Sequence, residues 1–301
     1  MGYIVVFGGC SWDSTYKQKE DLTYPKIADI GLPGGKGANQ AVAIARAGYN
    51  VKMVSVIGED EIGNEILKNL KDNNIDTTYV KVAKGKKSDG AQLFVTLTGD
   101  NEIKRSREAI DEFTPKLVFE NAELLKGADF VVTQSKVPRD VLETLINFCY
   151  ENKIKTVLTP CPSKGLIYAV EENKALLEKV TFVTLNEEET IEIMGTSNFE
   201  SCAHKMPNLI MTAGKKGVFF CDDDGFFVNI PAIEPKQLVD TTGAGDTFCG
   251  NFLVATLEGF NRTEAVKRGV WAATLKLEHM GAQPGMPTKQ ELLDRSKNIE
   301  I

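Results

Sequence analysis

Histidine is nearly missing from this chain: His204 and His279 are the only two in 301 residues. That leaves no material for an HExxH helix or a His-rich zinc centre. The six cysteines, Cys10, Cys149, Cys161, Cys202, Cys221 and Cys249, are scattered without a CxxC spacing. They build neither a thiolate metal site nor a disulfide framework, and they read as reduced thiols of a cytoplasmic protein. No apolar run approaches the ~18 residues of a membrane span. The start, Tyr3-Ile4-Val5-Val6-Phe7-Gly8-Gly9, is too short and too uncharged for a secretory leader. Gly2 heads no myristoylation motif, because position 6 is Val6. An excess of positive charge is missing too. Lys and Arg number 35 against 42 Asp and Glu, a net −7, which disfavours nucleic acid as a partner. An anionic small molecule would need a local site.

What is present is a regular alternation of short apolar runs with helical patterns, the signature of an α/β protein with a mostly parallel sheet. Tyr3–Gly9 and Val51–Ile57 read as strands. Gly37–Ala47 reads as a small-residue helix, and Glu61–Lys71 as an amphipathic one with Ile62, Ile66, Leu67 and Leu70 on one face. Further on, Phe130–Thr133, Thr156–Thr159, Phe182–Leu185 and Leu209–Thr212 are buried strands of a sheet covered on both faces. Helical stretches such as Pro138–Tyr150 separate them. Two segments, Asp13–Ile30 and Tyr79–Ser106, alternate polar and apolar residues with no helical period. They predict a small separate sheet, inserted into a single domain spanning 1–301. Such a sheet is a candidate lid, and its exposed edge is a candidate surface for pairing two copies.

Two motifs carry most of the chemistry. In Pro33-Gly34-Gly35-Lys36-Gly37-Ala38-Asn39-Gln40, glycines feed a helix whose first turn offers unpaired N–H groups, and Lys36 and Asn39 add side-chain donors. It is not a Walker A loop, which would need Gly at position 30 and Ser or Thr at 37, where Ile30 and Gly37 stand. A tight packing turn accounts for the glycines but not for the Lys and Asn beside them. In Asp240-Thr241-Thr242-Gly243-Ala244-Gly245-Asp246-Thr247-Phe248, small residues expose backbone N–H groups at a helix N-terminus, where phosphate charge is best stabilised. Asp246 would repel the anion this nest invites. A general base accepting a hydroxyl proton beside a transferring phosphoryl group gives it a reason. Asn186-Glu187-Glu188-Glu189 follows a strand and suits either Mg²⁺ held through water or a helix N-cap with an acidic first turn. Thr212-Ala213-Gly214-Lys215-Lys216-Gly217 suits a nucleotide phosphate or a plain hairpin turn.

Together these segments resemble the ribokinase/PfkB carbohydrate kinase family over essentially the whole chain, helped by the tail Gly281-Ala282-Gln283-Pro284. The resemblance implies a three-layer α/β/α domain with a β-sheet lid. It also implies ATP-dependent phosphorylation of a sugar's primary hydroxyl, with D-ribose to ribose 5-phosphate the leading substrate. Another sugar or nucleoside, or an inactive sugar-binding regulator, are the alternatives. It implies Asp246 as base and the amides of Gly243, Ala244, Gly245 and Asp246 as anion hole. Ser11, Asp13, Gly35, Lys36, Gly37, Asn39 and Lys136 would line the sugar pocket. Asn186, Glu189, Thr212, Gly214, Lys215, Gly217 and Gly245 would serve ATP and Mg²⁺. A K⁺ ion would be held by Asp240 and Thr242 with backbone from Lys276, His279 and Gly281. The chain departs from the family at the sugar: Ser11 replaces an Asn, Arg107-Glu108-Ala109 replaces a Gly-Ala-Asn turn, and Lys136 replaces a Glu, turning an acceptor into a donor.

Overall fold

The computed structural model describes residues 2–17, 19–21, 23, 26–95, 97, 101–160 and 175–296. Cys161 and parts of the two extended segments (18, 22, 24–25, 96 and 98–100) lie outside them. The first half runs β1 (Ile4–Phe7), β2 (Ser11–Lys17), β3 (Lys26–Gly34), α1 (Lys36–Arg46), β4 (Val51–Gly58), α2 (Glu61–Asp72), β5 (Val80–Ala83), β6 (Gly90–Val95), β7 (Asn101–Ser106), α3 (Lys116–Glu120) and α4 (Ala122–Lys126). The second half runs β8 (Phe130–Gln134), α5 (Arg139–Glu151), β9 (Thr156–Thr159), β10 (Phe182–Asn186), α6 (Glu187–Met194), α7 (Phe199–Lys205), β11 (Leu209–Thr212), β12 (Val218–Cys221), β13 (Phe227–Ile230), α8 (Ala244–Leu257), α9 (Arg262–Lys276) and α10 (Lys289–Ser296).

Among the described residues nine strands form one sheet in the order β13-β12-β11-β10-β9-β8-β1-β4-β5. From β5 to β11 neighbours pair in parallel, and β12 and β13 close the far edge as antiparallel hairpins. The apolar run of β1 shows why both faces are covered. Ile4 and Val6 pack into one core with Ala41, Phe248 and Phe252 from α1 and α8. Val5 and Phe7 point the other way, into a second core with Leu145 and Ile146 of α5. Two-residue periodicity thus splits one strand between two apolar layers.

The predicted second sheet is present, in the order β3-β2-β6-β7, with β2 and β6 parallel and the outer pairs antiparallel. Its bounds differ from the expected ones. β3 runs on to Gly34, and β5, inside the second extended segment, joins the main sheet parallel to β4. Val80 and Val82 alternate with Lys81 on a half-exposed strand, and such alternation specifies a strand but not the sheet it belongs to.

The chain order steps from β1 outward to β4 and then back to β8 on the other side. That reversal opens a crevice at the carboxyl ends of the strands, where α/β sheets hold ligands. Gln134, Thr159, Asn186 and Thr212 are the last residues of four neighbouring parallel strands, β8 to β11. Helices α1 and α8 flank the crevice and touch at Gly250, where an added Cβ would come 2.7 Å from Ala43 Cβ and 2.9 Å from the Ile44 amide nitrogen. Gly250→Ala therefore pushes the two helices apart. Alanine's better helix propensity works the other way, but overpacking costs about 1–3 kcal/mol and outweighs it. We expect the melting temperature to fall by several degrees; an unchanged or raised value would show that the helices are not in close contact there.

Candidate active site

The first turn of α8 carries Asp246, which is 7% exposed. Asn39 Nδ2 donates to its Oδ2 at 3.1 Å, and Gln40 Nε2 donates to its Oδ1 at 3.1 Å. Successive residues on α1 thus hold the two oxygens of one carboxylate. Each donor is held in turn. Gln40 Nε2 also donates to Thr159 Oγ1 at 3.0 Å, and Gln40 Oε1 accepts from Gln134 Nε2 at 2.8 Å. Asn39 Oδ1 accepts from Gln283 Nε2 at 3.0 Å, and Gln283 Oε1 accepts from Asn69 Nδ2 at 2.9 Å. Arg46 clamps the loop that carries Gln283, donating to the Gln283 carbonyl at 2.8 Å and the Met286 carbonyl at 3.0 Å. Gly8 makes the room: a Cβ there would lie 2.0 Å from Gln134 Oε1.

Burial pushes the Asp246 carboxyl up to about 6, against the pull of the Lys36 and Lys136 charges and the bonds from Asn39 and Gln40. Such a group is ionised at neutral pH yet takes up a proton readily. Each oxygen accepts one bond from the protein and retains capacity for a hydroxyl.

Beside it, Gly243 caps α8 in the left-handed conformation, with φ +80°. A Cβ there would also strike the Ala282 carbonyl at 2.6 Å, so both strain and space demand glycine. The Ala244 amide turns back to the Thr241 carbonyl at 3.2 Å, and the first bond within the helix runs from Thr247 N to Gly243 O at 2.9 Å. The amides of Gly245 and Asp246 belong to the exposed end of the helix, where an anion is favoured. A Cβ on Gly245 would meet nothing within 4 Å.

Lys36 does not bond Asp246 directly. Its ammonium donates to Glu189 Oε1 at 3.2 Å and to the Pro160 carbonyl at 3.3 Å. Glu189 Oε2 accepts from the Asn186 amide at 2.8 Å while Asn186 Oδ1 accepts from the Glu189 amide, a complete capping box. Gly35, with φ +86°, and Gly37 are needed for close packing on residues 8–11, since Cβ atoms there would lie 2.8 Å from Ser11 N and 2.7 Å from Gly9 O. Asp13, on β2 beside Ser11, accepts from the Ala91 amide at 2.9 Å and so ties β2 to β6. Lys136 is exposed, yet close enough for its charge to act on Asp246. Thr212 donates to the Leu185 carbonyl at 3.3 Å. Gly214, Lys215 and Gly217 form the tight turn between β11 and β12, with φ of +51° at Gly214 and +93° at Gly217.

The K⁺ site implied by the resemblance is the exception. Asp240 Oδ1 accepts from Thr242 N and Oγ1 at 2.9 and 2.8 Å, and Asp240 Oδ2 accepts from Gly281 N at 2.8 Å. The Lys276 carbonyl accepts from His279 N at 3.1 Å. The His279 carbonyl is taken by the Lys276 ammonium at 3.0 Å, which also donates to the Asp240 carbonyl at 2.9 Å. A lysine, rather than a free ion, sits among these groups, and the residues do not fit a K⁺ ion.

The chain belongs to the pfkB family of carbohydrate kinases, which it matches over residues 1–289. It is similar to the ribokinase of Bacillus subtilis (strain 168), 35% identical over 297 residues, 97% of this chain and 98% of that one. It is also similar to the ribokinase of Lactococcus lactis subsp. lactis (strain IL1403), 34% identical over 90% of this chain and 87% of that one. The Arabidopsis thaliana ribokinase complexed with ribose and ATP superposes with a TM-score of 0.84 at 26% identity, covering 97% of both chains.

The raised Asp246 fixes the sign of two pH effects. As a base it must be ionised, so kcat/KM is expected to fall about tenfold per pH unit below about 6. For stability, a carboxyl raised from 3.8 to about 6 on folding destabilises the folded state by about 3 kcal/mol once both states are ionised. That cost is absent below the unfolded value and fully present above about 6. Asp246→Asn is expected to lose turnover by ~10²–10⁴ or more without a loss of melting temperature at pH 7. Near wild-type turnover would remove Asp246 from the chemistry.

Gly245→Ala separates folding from function. Open space and better helix propensity predict an equal or higher melting temperature. The new methyl stands at the helix end where phosphate would sit, so ATP turnover should drop at least tenfold. Unchanged turnover would show that no ligand approaches that amide.

Proposed function

We propose that the chain transfers the γ-phosphoryl group of ATP to the primary hydroxyl of D-ribose, giving ribose 5-phosphate and ADP. The observation that carries this reading is a single ionisable carboxylate, Asp246, buried and aimed by Asn39 and Gln40 next to a glycine-lined helix N-terminus. The ribokinases that the chain resembles, one of them bound to ribose and ATP, supply the substrate class. The hydroxyl gives its proton to Asp246 while its oxygen attacks the γ-phosphorus, and the bond to ADP breaks on the far side. The exposed amides at the start of α8 hold the developing phosphoryl charge. Mg²⁺ bound with ATP would neutralise phosphate charge. Asn186 and Glu189 would hold it only through water, since the Asn186 oxygen caps α6 and both Glu189 oxygens accept protein hydrogen bonds.

Ser11, Asp13, Asn39 and Lys136 are the residues we assign to the sugar, and Thr212, Gly214, Lys215 and Gly217 to the nucleotide. The second sheet serves as lid, and exposed Leu32 on β3, with exposed Leu97 between β6 and β7, offers a surface on which two copies would pair. Among the described residues no helix is long and apolar enough to cross a membrane, and the five described cysteines are free, which suits a reducing cytoplasm.

A panel of ribose, 2-deoxyribose, a hexose, an acidic sugar and a nucleoside, read by ADP release, tests the reading. Ribose should give the highest kcat/KM. ADP release with the nucleoside alone, or with none, would overturn ribose as substrate. Lys136→Met belongs in the same series. Removing a positive charge that favours ionised Asp246 should shift the acid limb of the ribose profile to higher pH, whereas an unmoved limb would place Lys136 outside the site.

A further inference from the structure

Lys276 is the last residue of α9, and its side chain is 0% exposed. A fully buried lysine is rare unless its ammonium is paired. Here the ammonium lies behind the anion hole, on the Asp240 carbonyl at 2.9 Å and the His279 carbonyl at 3.0 Å, with Asp240 Oδ2 at 4.0 Å. Two carbonyl oxygens and a carboxylate around one positive charge make a monovalent-cation cradle, and an ammonium has the charge and nearly the size of K⁺. The same Asp240 carboxylate bonds Thr242 N, Thr242 Oγ1 and Gly281 N, so the ammonium braces both loops that frame the start of α8.

We propose that Lys276 is a built-in cation, a positioning residue that holds the 240–243 loop and the 279–281 loop in register with the anion hole and makes a dissociable monovalent cation unnecessary. The inference rests on the kinase reading above for its activity arm only. Its other arm, the response of folding to salt, stands alone.

Wild-type turnover is measured with K⁺, Na⁺ or N-methylglucamine as the monovalent cation at equal ionic strength, with Mg²⁺ and ATP constant. Rates within about twofold are expected, and activation of fivefold or more by K⁺ would overturn the proposal. Turnover absent in every salt would instead fail the kinase reading, leaving the folding arm to decide. Lys276→Met keeps the buried stem and drops only the charge. It should fold, lose at least tenfold in turnover, and gain nothing from K⁺, because the thioether fills the space. Lys276→Ala opens the cradle. Its melting temperature should rise with K⁺ but not with N-methylglucamine, while that of the wild type is indifferent to the choice. Wild-type turnover of Lys276→Met without K⁺, or a wild-type melting temperature that climbs specifically with K⁺, would sink the assignment.

Discussion

A carboxylate taken out of water has to be paired or neutralised, and the burial of Asp246 sets conditions that reach across the whole chain. Its partners come from α1, theirs from the end of β8, the end of β9 and the loop after residue 280, and theirs in turn from α2 and Arg46. Leaving one member of such a network unpaired costs about 1–3 kcal/mol, comparable to a large fraction of a domain's net stability. The sheet order, the Gly250 contact between α1 and α8 and the glycine at position 8 all keep these distances. The site is thus a constraint on the fold as much as a product of it.

The chemistry of the donors matters as well as their number. Had the Lys36 ammonium bonded Asp246 directly, the ion pair would hold the carboxyl low and make it a poor proton acceptor. Lys36 is instead drawn to Glu189, 153 residues away in sequence, and its charge reaches Asp246 only from a distance. The contacts to Asp246 are made by neutral amides, which orient the oxygens without a full countercharge. Desolvation then prevails, and the carboxyl rises to about 6.

The fold class was legible because β1, β8, β9, β10 and β11 are short, largely apolar and separated by helical periods. Both faces of those strands are buried, so composition alone reveals them. The sheet that β5 joins is not legible for the opposite reason: a half-exposed edge strand alternates in the same way whichever sheet it joins. In the site, glycines and first-turn residues pointed to the ends of α1 and α8, because backbone geometry leaves a local mark. Gln40, Gln134, Gln283 and Arg46 received no role, although each was visible in sequence. Their function depends on partners as many as 244 residues away, and only the pattern of amides in otherwise apolar segments could have hinted at it. The family resemblance assigns only the backbone carbonyl of Lys276. The fold uses its side chain, because the end of α9 turns back on itself and directs the ammonium inward.

The start of α8 therefore has two unlike sides. Behind it, Asp240, Thr242, Gly281, His279 and the Lys276 ammonium are bonded to one another at 2.8 to 3.0 Å. In front, Gly245 faces open space, and the helix end offers amides with no side chain to obstruct them. Dipoles stabilise a developing charge most when they need not reorganise as it appears. A rigid back supplies that condition, and an open front admits the phosphate. Left-handed Gly243, pressed against the Ala282 carbonyl, is where the two sides meet. Its conformation, set by the braced loops, determines where the first amides of α8 point.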